Sequence, residues 1–143
     1  MQQSTEVRDA IERFYERLSA GDVAGTAATI SDDPEAFVIG TQRIGGGREA
    51  WLESVGENAS MGIAFEAGAI RGWADGDIGW AVDEPTIVLP NGMRLTTRMT
   101  AVLERDPDGA FRSVHHHYSW AVPDELAVES VQEWREQLGL VTA

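Results

Sequence analysis

The sequence predicts an α+β domain: helices first, then a run of antiparallel strands, then one more helix. Two observations carry this. Near the N-terminus, Val7, Ile11, Phe14, Tyr15 and Leu18 recur with the helical period and form one apolar stripe. From Ile63 onward the chain reads as four long strand-like runs separated by turn residues. Helices segregated from an antiparallel sheet define the class. A length of 143 residues, 43% of them apolar, suits a single domain over 1–143 with its own core. That core runs from about residue 7 to 122, and a C-terminal helix from about 125 to 138.

In chain order, Ser4 stands at the N-cap of the first helix, and Glu6 places negative charge in its first turn. Gly21 ends that helix, and Asp22 caps a second that runs to about Ile30, before Ser31-Asp32-Asp33-Pro34. Ala36–Thr41 reads as a short strand and Gly45-Gly46-Gly47 as a loop. A third helix spans Arg48–Ala59, with Trp51, Leu52, Val55 and Ala59 on one side. The four long strands span Ile63–Trp73, Ile78–Leu89, Met93–Arg105 and Ala110–Val122. They are separated by Ala74-Asp75-Gly76-Asp77, Pro90-Asn91-Gly92 and Asp106-Pro107-Asp108-Gly109, the pattern of a meander. The final helix carries Ala127, Val131, Trp134 and Leu138 at helical spacing.

Composition excludes several kinds of chemistry. There are no cysteines, so disulfides, thiolate metal sites and thiol nucleophiles are absent together. All 11 basic residues are arginine, so neither a lysine Schiff base nor a P-loop lysine is available. The net charge of −13 disfavours nucleic acid and anionic membrane surfaces as partners. No apolar run approaches the roughly 18 residues of a membrane span. The polar segment Met1–Asp9 lacks the basic and apolar regions of a secretion signal, so the cytoplasm is the expected location.

Several local words, in this order, resemble the NTF2-like superfamily and, within it, the SnoaL-like and ketosteroid-isomerase-like proteins. They are Arg13-Phe14-Tyr15 through Leu18-Ser19-Ala20-Gly21-Asp22, then Gly76-Asp77-Ile78-Gly79-Trp80, then Arg98-Met99-Thr100-Ala101-Val102-Leu103. The last is Phe111-Arg112-Ser113-Val114-His115-His116-His117-Tyr118-Ser119. The resemblance covers about Val7 to Trp120. It implies a cone in which a curved antiparallel sheet wraps around the N-terminal helices, with a pocket on the concave face and a homodimer through the convex one. Members of this superfamily include isomerases, cyclases, hydrolases, dehydratases and assembly modules, so the fold alone does not fix the function. The steroid-isomerase machinery does not carry over. Phe14 stands where the resemblance implies a tyrosine oxyanion donor, Phe37-Val38-Ile39 where it implies a general-base aspartate, and Thr100 where it implies a protonated aspartate.

The resemblance and strand alternation together give a candidate pocket of Phe14, Tyr15, Trp80, Glu84, Arg98, Thr100, Val114, His116, Tyr118 and Trp120. Val114, His116, Tyr118 and Trp120 share one strand face, and His115, His117 and Ser119 the other. His116 and Tyr118 are the candidate catalytic pair, an imidazole that exchanges protons near neutral pH and a phenol that donates to an oxyanion. Arg98 is expected to converge on them, to favour an anionic ligand and to lower the histidine's pKa by like-charge repulsion. Either Asp83 or Glu84 is available to pair with that arginine. In the Arg98 strand burial alone favours the opposite face, Met99, Ala101 and Leu103, as core; a dimer burying that face would reconcile the two. No metal and no cofactor is expected. The expected function is binding of a small organic molecule, with a metal-independent acid–base enzyme or a dimeric assembly module as alternatives.

Overall fold

A computed structural model describes residues 1–41, 46–120, 122–137 and 139, and of residues 130, 131 and 134 the backbone alone. Helix α1 spans Thr5–Ser19, and the Ser4 hydroxyl accepts a hydrogen bond from the Val7 amide at 3.3 Å. The stripe read from the sequence is the buried face: Val7, Ile11, Phe14, Tyr15 and Leu18, joined by Ala10. Gly21 takes φ of 71°, which lets the chain reverse into α2 (Val23–Ala27), capped by Asp22. This helix ends three residues earlier than expected. Ile30 leaves it to bridge Ser113 in parallel, and the flanking backbone bonds, Ser31 N–H to Ser113 C=O and Ser113 N–H to Thr29 C=O, are both 2.9 Å.

Strand β1 (Gln2–Gln3) was not expected; its polar residues carry no pattern, and it pairs only with the edge of β4. Strand β2 (Phe37–Ile39) runs parallel to the last strand. Helix α3 spans Arg48–Ser60 and buries Trp51 and Val55. Two of the four expected long strands are each broken in two. The first becomes β3 (Ala64–Glu66) and β4 (Arg71–Asp75), and the second β5 (Ile78–Asp83) and β6 (Thr86–Val88). Strands β7 (Arg94–Arg105) and β8 (Phe111–Trp120) remain whole. β7 pairs with β6 through residues 94–96 and with β5 through 99–104. At the corner Pro85, which has no N–H for the ladder, offers its carbonyl to the Thr97 amide and hydroxyl at 3.0 and 3.1 Å. The break bends the sheet around α1.

Helix α4 (Asp124–Gln137) follows, with Leu126 and Val128 exposed. The side chains of Val131 and Trp134, and Leu138 altogether, lie outside the described residues, as does Gly45 of the glycine loop. No described helix is long and apolar enough to cross a membrane.

The sheet faces decide which residues a cavity can reach. On β7, Thr97, Met99, Ala101 and Leu103 point inward and Arg98, Thr100 and Val102 outward, so burial and not the resemblance gives the correct face. On β5, Gly79, Ala81 and Asp83 point inward. A Cβ at Gly79 would lie 2.6 Å from Val7 Cγ2 and 3.2 Å from the Phe111 ring, so α1 leaves room there for glycine alone. Trp80 is therefore on the outer face, stacked on Trp73 with ring centroids 4.3 Å apart. On β8 a bulge shifts the register between Val102 and Leu103: Val102 faces His115, but Leu103 faces Ser113. Val114 is the extra residue, and the alternation changes phase across it.

Candidate functional site

A cavity of about 670 Å³ lies between α1, α3 and the concave side of β3, β6, β7 and β8. Its walls are more apolar than polar and include Phe14, Trp51, Phe65, Leu95, Tyr118 and Trp120. Glu53, Ser54, Glu57 and Asn58 of α3 also line it, and both glutamates are exposed.

Three expected pocket residues, Phe14, Tyr118 and Trp120, line this cavity. Tyr15 and His116 point inward but sit behind its wall, 2% and 0% exposed. The others are elsewhere. Trp80, Arg98 and Thr100 occupy the outer face, Val114 is the bulge residue, and Glu84 is exposed at the β5–β6 corner. The expected convergence of Arg98 on His116 and Tyr118 does not occur. Arg98 pairs across the ladder with Ser119 and donates to the Trp120 carbonyl at 2.9 Å. The reason is register: the turn pairs Arg105 with Phe111, not Ala110, and the bulge adds one more step. Of the two acids on β5 and its corner, Asp83 is the inward one.

His116 is fixed from two sides. Its Nε2 is 2.8 Å from Ser113 Oγ and its Nδ1 is 3.2 Å from the Tyr118 hydroxyl. The bulge makes this possible by turning Ser113 to the same side as His116, three residues away. The ring is enclosed by Phe14, at 4.8 Å between centroids, and Trp51, at 5.0 Å. Burial pushes its pKa down to about 3, and the neighbouring His115 adds to the effect. The cause is therefore desolvation and not Arg98. A neutral imidazole has one donor and one acceptor nitrogen, and the two hydroxyls satisfy both. The Tyr118 phenol is pushed up by burial and then by the Asp83 carboxylate, so it keeps its proton. Tyr118 is thus a neutral donor on the cavity wall, backed by a neutral histidine that touches nothing in the cavity.

Trp51, Phe65 and Ser113 are site residues the sequence reading did not single out. Trp51 carried a signal, as the largest apolar residue on a predicted helix stripe. Ser113 carried none, because strand alternation without the bulge puts it on the outer face. His115 and His117 share that outer face, and His115 Nδ1 is 3.2 Å from the Phe37 carbonyl. No group of three metal-ligating side chains gathers among the described residues.

Residues 7–124 match the family model of the SnoaL-like domain. The chain belongs to the SnoaL-like family. This SnoaL-like domain is also similar to solved structures of the NTF2-like fold. One is a candidate dehydratase of the NTF2-like family from Streptomyces avermitilis, with TM-score 0.74 and 20% identity over 82% of this chain and 95% of that one. A candidate ketosteroid isomerase from Shewanella frigidimarina has TM-score 0.69 and 13% identity over 81% and 96%. An NTF2-like protein from Salmonella enterica has TM-score 0.70 and 22% identity over 82% and 90%. At these identities the similarity carries the fold alone. No curated protein sequence matches the chain.

Proposed function

We propose that this SnoaL-like domain binds one small, mainly apolar organic molecule per chain in the 670 Å³ cavity, with Tyr118 as its deepest polar contact. The observation that carries the reading is a largely aromatic and aliphatic wall with one protonated phenol set in it and held by His116. Cavities of this size and lining suit drug-sized ligands.

The enzymatic reading rests on the same pair. A ligand carbonyl or leaving oxygen at Tyr118 would receive a hydrogen bond or proton from the phenol, the phenolate would take a proton back from the ligand as an isomerisation requires, and His116, neutral and in contact, would hold the phenol oxygen in place without changing its own protonation. That is cofactor-independent acid–base chemistry of the isomerase or dehydratase kind. In the same proposal the chain acts as a homodimer through the outer sheet face.

The test is titration with N-phenyl-1-naphthylamine, a neutral apolar fluorophore. One probe per chain is expected to bind, with affinity reduced about tenfold or more by Leu95→Trp, which fills the cavity, and unchanged by Thr100→Ser on the outer face. Absence of binding, or equal weakening by both variants, overturns the reading.

A further inference from the structure

A second, smaller cavity of about 130 Å³ lies on a different flank of α1 and shares no lining residue with the first. Arg13 and Arg17 reach it from α1, where a spacing of four puts them on one helix face, and Arg112 reaches it from the start of β8. Phe111 is also in its wall, and the Arg105 guanidinium lies over that ring, 4.1 Å from the centroid. Four of the eleven arginines thus gather around one ring, in a chain whose net charge is −13.

Two of the four are neutralised by a carboxylate. Arg105 pairs with Glu6 and Arg112 with Asp106. Arg17 has a carbonyl instead: its Nη1 donates to the Gly25 carbonyl at 2.8 Å, just as Arg112 Nη1 donates to the Ala28 carbonyl at 2.9 Å. These carbonyls belong to the end of α2, where a helix leaves its acceptors unsatisfied, so capping explains where Arg17 and Arg112 sit. It does not explain Arg13. That side chain is exposed and has no hydrogen bond or ion pair among the described residues, although Asp9 and Glu16 stand one turn away on the same helix. Asp9 is taken by Arg8 at 2.8 Å. Each guanidinium carries five N–H donors, of which Arg17 commits one and Arg13 none. Two positive charges without a carboxylate, most of their donors unused, therefore flank a recess.

We propose that this recess binds the phosphoryl group of a small phosphate monoester, with Arg13 and Arg17 supplying the charge and Arg112 a further donor. Two unmatched charges answer a dianion, and forked guanidinium donors fit phosphoryl oxygens in pairs. A carboxylate would leave one of the charges unmatched. The volume sets the size of the group: 130 Å³ holds roughly four water molecules at about 30 Å³ each, room for one phosphoryl group but not for a nucleotide. The organic part of the ester therefore lies outside the recess. An ester and free inorganic phosphate offer the same oxygens, and the experiment separates them. The proposal does not depend on the cavity reading above.

Methyl phosphate, inorganic phosphate and acetate are titrated into the intact protein by calorimetry, at low and fixed ionic strength so that screening is constant. None of the three carries an apolar body that would seek the larger cavity. Methyl phosphate is expected to bind once per chain, at least as tightly as inorganic phosphate and several-fold more tightly than acetate. Arg13→Gln is expected to weaken it about tenfold or more, the range for hydrogen bonds to a charged group, with the melting temperature unchanged because Arg13 holds nothing in the fold. Arg71→Gln removes the same charge from an exposed position on β4 and is expected to leave binding as it was. Going from about pH 7.5 to about pH 5 is expected to weaken methyl phosphate several-fold, as the dianion takes up a proton near pH 6 while arginine stays charged. Absence of binding overturns the proposal. So does equal weakening by Arg13→Gln and Arg71→Gln, because overall charge then acts without a site. Acetate binding as tightly as methyl phosphate overturns the dianion, and inorganic phosphate binding more tightly overturns the ester. If Arg17→Gln lowers the melting temperature while methyl phosphate binds as before, Arg17 only caps α2 and the site falls.

Discussion

His116 Nδ1 lies 3.2 Å from the Tyr118 hydroxyl, and the histidine has no accessible surface. Both residues follow the bulge at Val114, so both face the core, and the tyrosine reaches back along the strand to the imidazole. The pair is neutral on both sides: burial lowers the histidine and raises the phenol. Of the two, only Tyr118 faces the cavity.

The neutral histidine makes stability depend on acid pH. Its folded pKa of about 3 lies below the ordinary value of 6.5, so the unfolded chain binds a proton the folded one refuses. The contribution is complete above pH 6.5 and is lost as pH falls toward 3, at up to about 1.4 kcal/mol per pH unit. Urea unfolding between these limits is expected to show a steeper fall for the wild type than for His116→Asn, the difference isolating this group from the carboxylates. Parallel curves would mean that His116 takes up a proton inside the fold.

The alkaline limb belongs to the tyrosines. The chain has two, Tyr15 and Tyr118, and burial raises both above the ordinary value of 10.0. For an acid whose folded pKa is raised, stability is complete below the unfolded value and is lost as pH rises past it. Tyrosinate absorbance is expected to stay flat through pH 10 in the native protein and to appear for both residues together with loss of near-ultraviolet dichroism. Gradual titration near pH 10 without unfolding would show at least one phenol to be open to water.

Gly79 sets how closely α1 approaches the sheet. A methyl there meets Val7 Cγ2 at 2.6 Å, whereas at Gly72 it meets the backbone of Ser4 and Arg8 at 3.0 and 2.9 Å. Side chains give way more readily than backbone. Gly79→Ala is expected to cost about 1–3 kcal/mol, the range for overpacking, with much of the loss recovered in Val7→Ala/Gly79→Ala. At Gly72 the methyl also meets Val7 Cγ1 at 3.0 Å, but the backbone of Ser4 and Arg8 cannot be trimmed, so Val7→Ala is expected to rescue Gly72→Ala less than it rescues Gly79→Ala. Equal rescue at both positions would contradict the packing described.

The sequence carried the elements well and the faces poorly. The α1 stripe and its Ser4 cap were legible because helical period and capping are local. The inward face of β7 was legible from Met99, Ala101 and Leu103, and was obscured only by transferring a family orientation to Arg98 and Thr100. What could not be read was the bulge at Val114, since one inserted residue reverses the strand's alternation without any turn residue to announce it. That residue hid Ser113 from the site and misplaced Val114. Asp83 and Tyr15 were visible individually. Their meeting depends on the sheet bending at Pro85 and on α1 crossing it, which no local pattern encodes.

The outer sheet face carries the last prediction. The apolar side of β7 that first suggested a dimer, Met99, Ala101 and Leu103, is core, so that argument lapses. The opposite face supplies a better one. The stacked pair Trp73 and Trp80 lies beside Val82, with Val102 37%, Phe37 39% and Ile78 52% exposed. Apolar surface gathered on one sheet face is rarely left in water, and a two-fold pairing lets one patch cover its own copy. Sedimentation equilibrium at micromolar concentration is expected to give twice the chain mass. Val102→Glu, which sets two carboxylates against each other across such an interface, is expected to give the single-chain mass. Because Val102 points away from the cavity, the same variant should bind the apolar fluorophore as the wild type does. A wild type that sediments as a monomer ends the dimer proposal, and a Val102→Glu monomer that no longer binds the fluorophore would show that the cavity depends on the second copy.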